Sequence, residues 1–177
     1  MSQSSNIITT AEKYLLNYYY VSTQDMERID KFRVCTGDSE KTLITQYIRG
    51  WISRNRDYYL NLARLDAKAR GISFREWGET VVAKRIDDLP KYLDEKMPKP
   101  DEENPLRGIQ IDPDAIRKPI NYVWLARQNL ALLKVGIHYD GDSAVRFVSR
   151  IVKEHLATNW DKKYQSQVDA NDFANWI

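Results

Sequence analysis

Apolar residues recur at helical spacing through most of the first 95 residues, and this periodicity constrains the fold more than any other feature. Over positions 43–52 they come in pairs that repeat every four residues, whereas a half-buried strand would alternate strictly. The pattern predicts a mostly α protein with an N-terminal helical domain over residues 1–96, whose first helix carries the stretch 14–21. Capping residues stand before the apolar stretches, at Thr9, Ser22, Asp38 or Ser39, Asp57 and Ser73.

The second constraint is a cluster of prolines. Five of the six prolines of the chain lie between Met97 and Pro119, together with the acidic run 101–103. Proline removes a backbone donor and disfavours helix in the residue before it. We therefore predict a proline-rich linker over residues 97–118.

A different pattern follows the prolines. Residues 119–125 are rich in β-branched and aromatic side chains and too few for an independent helix, so we expect a strand. Residues 128–137 have helical spacing, 139–142 form a turn, and Ser143 caps a last helix. No internal repeat is expected. The apolar face of the last helix consists of Phe147, Val148, Ile151, Val152 and Leu156.

The order of strand, helix, Gly141-Asp142-Ser143 turn and longer helix over residues 119–157 resembles the ribbon-helix-helix family of small bacterial repressors and plasmid-maintenance proteins. The strand 120–125 and the apolar residues Val148 and Val152, four positions apart, are among the matching pieces. The resemblance implies transcription regulation by a dimer, in which one strand from each chain pairs into an antiparallel ribbon that lies in the DNA major groove. It also implies that the backbone at the start of the second helix holds a phosphate.

Backbone chemistry gives an independent reason for a dimer. A single strand leaves its N–H and C=O groups unpaired, and a second copy of the chain is the simplest source of a partner strand. The expected fold class is therefore mostly α, with a C-terminal ribbon-helix-helix-like unit over 119–160 and one short strand pairing across a homodimer. Residues 161–177 form a tail.

The candidate DNA-binding residues come first from this unit. Arg146, Arg150 and Lys153 lie opposite the apolar face of the last helix, where we expect them to contact phosphates of double-stranded DNA. In the strand, Asn121 or Tyr122 are the expected base readers.

A second basic cluster lies in the helical half. Between positions 41 and 70 there are seven basic and two acidic residues, an excess of five in a chain whose net charge is +2. The small net charge excludes binding of a polyanion by the whole surface, so a local patch is required. From this cluster we assign Arg49, Arg54 and Arg56 to the predicted DNA-binding set.

Other classes of protein are disfavoured. Cys35 is the only cysteine, which excludes an intrachain disulfide and favours a reducing cytoplasmic setting, and no apolar run reaches the ~18–20 residues of a membrane span. Neither histidine stands at ligand spacing, and there is no glycine-rich phosphate loop. We expect no enzyme activity, no metal and no cofactor.

Two features favour alternative functions. Neither face of the strand 120–125 is suitably polar, so both could be buried, and Asp140 and Asp142 would repel a phosphate at the turn. They favour a dimeric protein-interaction adaptor without DNA reading. Its partner site would be the tail segment 168–177, which alternatively packs on its own domain. A third alternative is a sensor of an anionic nucleotide bound through the 49–56 region.

Overall fold

A computed structural model describes residues 11–83, 104–140 and 142–176, and the protein is mostly helical, as predicted. The strands are β1 (Ala11–Leu15), β2 (Tyr18–Val21), β3 (Ile116–Pro119) and β4 (Tyr122–Ala126). The first four helices are α1 (Thr23–Thr36), α2 (Glu40–Arg54), α3 (Arg56–Arg70) and α4 (Phe74–Ala83). The later helices are α5 (Arg127–Asp140), α6 (Ala144–Asn159) and α7 (Gln165–Trp176), with a π-helical turn, Trp160–Tyr164, before α7.

Local capping chemistry sets several helix ends where the sequence predicts them. The hydroxyl of Ser22 accepts a hydrogen bond from the third residue of α1, and Ser39 and Ser73 do the same for α2 and α4. Gly71 ends α3 in the left-handed conformation, with φ +70°. Residues 84–103, which contain the end of the predicted helical domain and the start of the predicted linker, lie outside the described residues.

The predicted first helix is wrong, because residues 14–21 belong to strands. β2 pairs antiparallel with β3, with Tyr20 opposite Arg117, and β1 pairs with β4. Between these ladders, the Leu16 amide donates to the Asn121 carbonyl and the Ile120 amide donates to the Asn17 carbonyl, both at 3.0 Å. These bonds extend the β2–β3 pairing within the second unit, and we call residues 16–21 and 116–123 of that unit the ribbon.

The strands differ from the single short strand of the predicted fold class. The chain has more than one short strand, and β4 finds its hydrogen-bonding partner in β1 of the same chain rather than in a second copy. Aromatic and β-branched side chains favour strands once a partner is present, and the partner here is about 100 residues away in sequence. The unpaired strand that suggested a dimer is thus paired within the chain.

The same order of elements occurs twice, which corrects the expectation that there is no internal repeat. Strand, α1, Gly37-Asp38-Ser39 and α2 are matched, 104 positions later, by strand, α5, Gly141-Asp142-Ser143 and α6. Helices α1 and α5 are both 14 residues long. We call residues 16–54 repeat 1 and residues 120–158 repeat 2.

Corresponding positions of the two repeats share burial more often than they share residue type. Every core position of α2 has a buried counterpart 104 positions later in α6. The pairs of corresponding residues are Leu43 and Phe147, Ile44 and Val148, Tyr47 and Ile151, Ile48 and Val152, Trp51 and His155, and Ile52 and Leu156.

The chain divides into two compact units, and each combines segments from both sides of the proline-rich stretch. The first unit comprises residues 1–14, 52–107 and 124–144, and the second comprises 15–51, 108–123 and 145–177. Within the first unit, the carboxylate of Asp66 is 1% exposed and accepts hydrogen bonds from three side chains. The donors are Arg70 Nε at 2.6 Å, Trp77 Nε1 at 2.7 Å and the Tyr139 hydroxyl.

Lys134 is a second buried charged group of the first unit, and it makes stability depend on pH. Its ammonium donates to the Val82 carbonyl at 2.9 Å, and burial lowers its pKa from the ordinary 10.5. Between the lowered pKa and 10.5 the unfolded chain binds more protons than the folded one, so this group makes stability rise as the pH rises through that window.

We expect Lys134→Met to remove that rise. The measurement is urea unfolding of parent and variant from pH 7 to pH 10.5, with the exposed Lys68→Met in the same unit as the control. A parent and a Lys134→Met variant with parallel pH profiles would contradict the prediction.

The C-terminal tail folds as a helix that packs on the second unit. Val168 of α7 is buried, and the Cys35 thiol of α1 donates to the Gln167 carbonyl at 3.4 Å. Of the two arrangements expected for this segment, the structure therefore has the one in which the tail packs on its own chain. Phe173 nevertheless remains 61% exposed.

Candidate nucleic-acid interface

In the second unit, the ribbon has one buried face and one open face. Tyr19, Val21 and Val123 lie in the core, where Tyr19 is completely buried. Tyr18, Tyr20 and Tyr122 are only half-buried. Alternation along a strand places successive side chains on opposite faces, so these three tyrosines are on the side away from the core.

Two exposed asparagines, Asn17 and Asn121, lie on the ribbon beside its tyrosines. Asn121 has φ +74°, a left-handed conformation that asparagine tolerates better than most residues. Leu16 and Ile120 are buried at this point, while Asn17 and Asn121 are exposed. Both predicted base readers, Asn121 and Tyr122, are therefore accessible, although simple alternation would place them on opposite faces.

The two faces of β4 differ in exposure. Trp124 is 51% exposed, whereas Val123 and Leu125 are buried. Only one face of the strand is covered, so the arrangement with both faces buried does not occur.

The open face combines aromatic rings with arginine. The rings of Tyr18 and Tyr20 meet edge to face at 5.5 Å. The guanidinium carbon of Arg117, an exposed residue, lies 4.7 Å from the centre of the Tyr18 ring and 5.8 Å from that of Tyr20. Such cation–π contacts orient the guanidinium while leaving part of it able to bind an anion.

The electrostatics of Tyr20 indicate a positive potential at this place. A hydrogen bond with Tyr18 lowers the pKa of the Tyr20 hydroxyl below its ordinary value of 10.0, and the charges of Arg117 and Arg146 lower it further. Arg146, near the start of α6, is exposed. The charge of Arg146, one predicted phosphate contact, thus acts on the Tyr20 hydroxyl.

Tyr122, the counterpart of Tyr18 in repeat 2, also has a basic side chain next to its ring. The ammonium of Lys41, at the start of α2, lies 3.5 Å above the centre of the Tyr122 ring. Lys118, on β3, pairs with Glu40 at 3.7 Å. Tyrosine and a basic side chain are therefore neighbours at two places along the ribbon, although sequence analysis predicted only Tyr122 of these residues.

The other two predicted cations of α6 are engaged within the second unit. Arg150 Nε donates to the Ile109 carbonyl at 2.8 Å, and Lys153 contacts the Gln110 carbonyl and, at 3.0 Å, the Asp112 carboxylate. These contacts fasten the segment 109–112 onto α6. Arg150 and Lys153 consequently have a visible structural role that sequence analysis did not assign to them.

The three arginines predicted from the helical half are divided between the two units. Arg49, Arg54 and Arg56 are all exposed. Arg49 belongs to the second unit, while Arg54 and Arg56 belong to the first.

The residues missed by sequence analysis are Asn17, Tyr18, Tyr20 and Arg117. One signal could have found most of them: Asn17-Tyr18 precedes Gly37-Asp38-Ser39 by the same distance at which Asn121-Tyr122 precedes Gly141-Asp142-Ser143. This spacing assigns the strand of repeat 1 to the same role as the predicted strand of repeat 2.

Searches for other kinds of site and for related proteins gave no match. Within residues 11–83, 104–140 and 142–176, no group of three or more His, Cys, Asp or Glu side chains could hold a metal ion. The helices of that part of the chain are all too short or too polar to cross a membrane. No family model, curated protein or solved structure matches the sequence or the fold.

Proposed function

We propose that the protein is a DNA-binding regulator or plasmid maintenance factor that places the open face of its ribbon in the major groove of double-stranded DNA. The observation that carries this proposal is the ribbon itself, which is buried on one face and presents asparagine, tyrosine and arginine on the other. The major groove of B-DNA admits a two-stranded β-ribbon, and the ribbon-helix-helix resemblance implies the same mode of binding.

The residue types on the open face suit the two kinds of contact that DNA recognition requires. Asparagine can make two hydrogen bonds to the edge of adenine, which assigns base reading to Asn17 and Asn121. Arg117 and Arg146 supply positive charge for phosphates. We assign phosphate binding to these side chains rather than to the helix starts, because Asp38 and Asp142 stand there and repel an anion.

The test measures binding of a fluorescent duplex as a function of salt. The double variant Arg117→Gln/Arg146→Gln should weaken binding and reduce the slope of log K against log salt by about 2, since each lost phosphate contact changes it by about 1. The matched control is Arg64→Gln/Arg75→Gln, which removes two exposed arginines of the first unit.

Binding that is insensitive to salt would contradict the proposal. So would equal losses in the two double variants, because these would reflect net charge rather than the ribbon. Melting curves of both variants establish that each is folded before binding is compared.

The protein-interaction adaptor is the second candidate function, and Phe173 favours it. This side chain remains exposed on α7 although the helix packs on the second unit through Val168. In this function Phe173→Ser would reduce binding to a protein partner and leave duplex binding unchanged. Pull-downs that compare the parent chain, Phe173→Ser and the surface control Thr158→Ala test this function. Equal capture of a partner by Phe173→Ser and the parent would count against the adaptor.

A further inference from the structure

We propose that one chain occupies a complete DNA site whose two halves differ in sequence, an inference that rests on the proposed DNA binding. A dimer of identical chains presents the same residues to both half-sites, so its target is palindromic. Here both strands of the ribbon come from one chain. No symmetry operation therefore forces the two halves of the target to be alike.

Two hydrogen bonds of the ribbon are nevertheless related by exchange of the repeats. The hydrogen bond from the Leu16 amide to the Asn121 carbonyl is matched by that from Ile120 to Asn17, at the same length of 3.0 Å. Leu16 corresponds to Ile120, and Asn17 corresponds to Asn121. Exchange of the two repeats therefore turns each of these hydrogen bonds into the other. Asn17 and Asn121 correspond under that exchange, although of the two only Asn121 has a left-handed backbone, and we expect each to read a base in a different half of the site.

The surroundings of the centre differ between the repeats. Tyr20 of repeat 1 is replaced by Trp124 in repeat 2, and Thr42 of α2 is replaced by Arg146 of α6. A tryptophan has no hydroxyl with which to hydrogen-bond a base edge or a phosphate in the way a tyrosine can, and threonine carries no charge. The side with Arg146 therefore gains a phosphate contact that the equivalent position of repeat 1 lacks.

These differences predict the form of the target. The central base pairs, read by the two asparagines, should be related by two-fold symmetry. The flanking base pairs should not be. Binding should need a single chain for each duplex.

The experiment selects duplexes from a random library with the full-length chain and then counts chains per duplex by native mass spectrometry. The expected result is one chain per duplex and a motif with a symmetric centre and unlike flanks. Two chains on a palindromic motif would overturn the inference while leaving DNA binding intact. Salt-dependent binding without any selected motif would also overturn it. Absence of salt-dependent binding would instead overturn the proposed function.

Two single variants assign the halves. Asn17→Ala and Asn121→Gly should each weaken binding to the selected duplex by roughly 10- to 100-fold, through loss of base contacts in opposite halves. Glycine is chosen at position 121 because it accepts the left-handed backbone there. Repeating the selection with each variant should relax one half of the motif only. Relaxation of the same half by both variants would overturn the assignment, and unchanged melting temperatures show that the variants are folded.

Discussion

Asp66→Ala should lower the free energy of unfolding by about 3–5 kcal/mol, one of the two largest effects we expect from single substitutions in this chain. The Asp66 carboxylate, only 1% exposed, accepts hydrogen bonds from Arg70 and Trp77 at 2.6 and 2.7 Å and from Tyr139. Alanine would remove this acceptor from three donors, and one of them is the guanidinium of Arg70, whose side chain is 9% exposed. Removing one partner of a largely buried ion pair costs more than losing an ordinary hydrogen bond.

Urea unfolding of parent and variant measures this difference. Asn61→Ala is a suitable control, because Asn61 is an exposed residue of the same helix and its loss should change stability by less than about 0.5 kcal/mol. Asp66→Asn keeps an acceptor oxygen and removes the charge, so it should fall between the control and Asp66→Ala. A loss below about 1 kcal/mol for Asp66→Ala would show that the network contributes little to stability.

His155→Ala should lower the free energy of unfolding by roughly 3–5 kcal/mol, through a different part of the protein. His155 is buried in the second unit; its ring stacks on Tyr47 at 4.0 Å and its Nε2 is 2.7 Å from the Tyr164 hydroxyl. Asn159 donates to the backbone carbonyl of His155 in the same turn. Alanine would remove the stacked ring and leave the Tyr164 hydroxyl without this partner.

His155→Phe separates the two contributions. Phenylalanine can keep the stacking with Tyr47 but cannot hydrogen-bond Tyr164, so it should cost about 1–3 kcal/mol, the usual penalty for a buried hydroxyl left without a partner. Thr158→Ala, on the exposed side of α6, is the matched control. If His155→Phe were as destabilising as His155→Ala, the hydrogen bond rather than the stack would dominate.

Helix starts and ends were the most predictable part of the fold. Ser22, Ser39 and Ser73 cap the helices that follow them, and Gly71 ends α3. Each of these features depends on hydrogen bonds between residues three or four positions apart, so a short stretch of sequence contains all the interacting groups. The apolar face of α6, from Phe147 to Leu156, was predictable for the same reason of local periodicity.

The ribbon could be predicted only in part. The strand at 120–125 has a composition that indicates a strand, but residues 14–21 also satisfied a helical pattern. Which of the two conformations Tyr18 and Tyr20 adopt depends on pairing with Ile116–Pro119, a contact that no local window contains. The repeat was similarly hidden, because corresponding core residues such as Trp51 and His155 share burial and not chemistry.

The residues of the candidate site also differ in how far the sequence alone could predict their contacts. Asn121, Tyr122 and Arg146 were predictable from residue type and position, and they lie at or near the open face of the ribbon. Arg150 and Lys153 carry the same charge, but their contacts with the 109–112 segment are visible only in three dimensions. Side-chain type states what a residue can bind, whereas its neighbours determine what it does bind.

By itself, then, the sequence determined most of the helices, several of their caps and the chemical types available for the proposed DNA contact, because those properties depend on neighbouring residues. Only the tertiary structure decided that the strand at β4 pairs within its own chain and which of its sides is exposed. The left-handed turn at Asn121 changes the alternation of the strand, and the partner segment that stabilises the turn is about 100 residues away. Pairing between distant segments, rather than local preference, sets which side chains reach solvent.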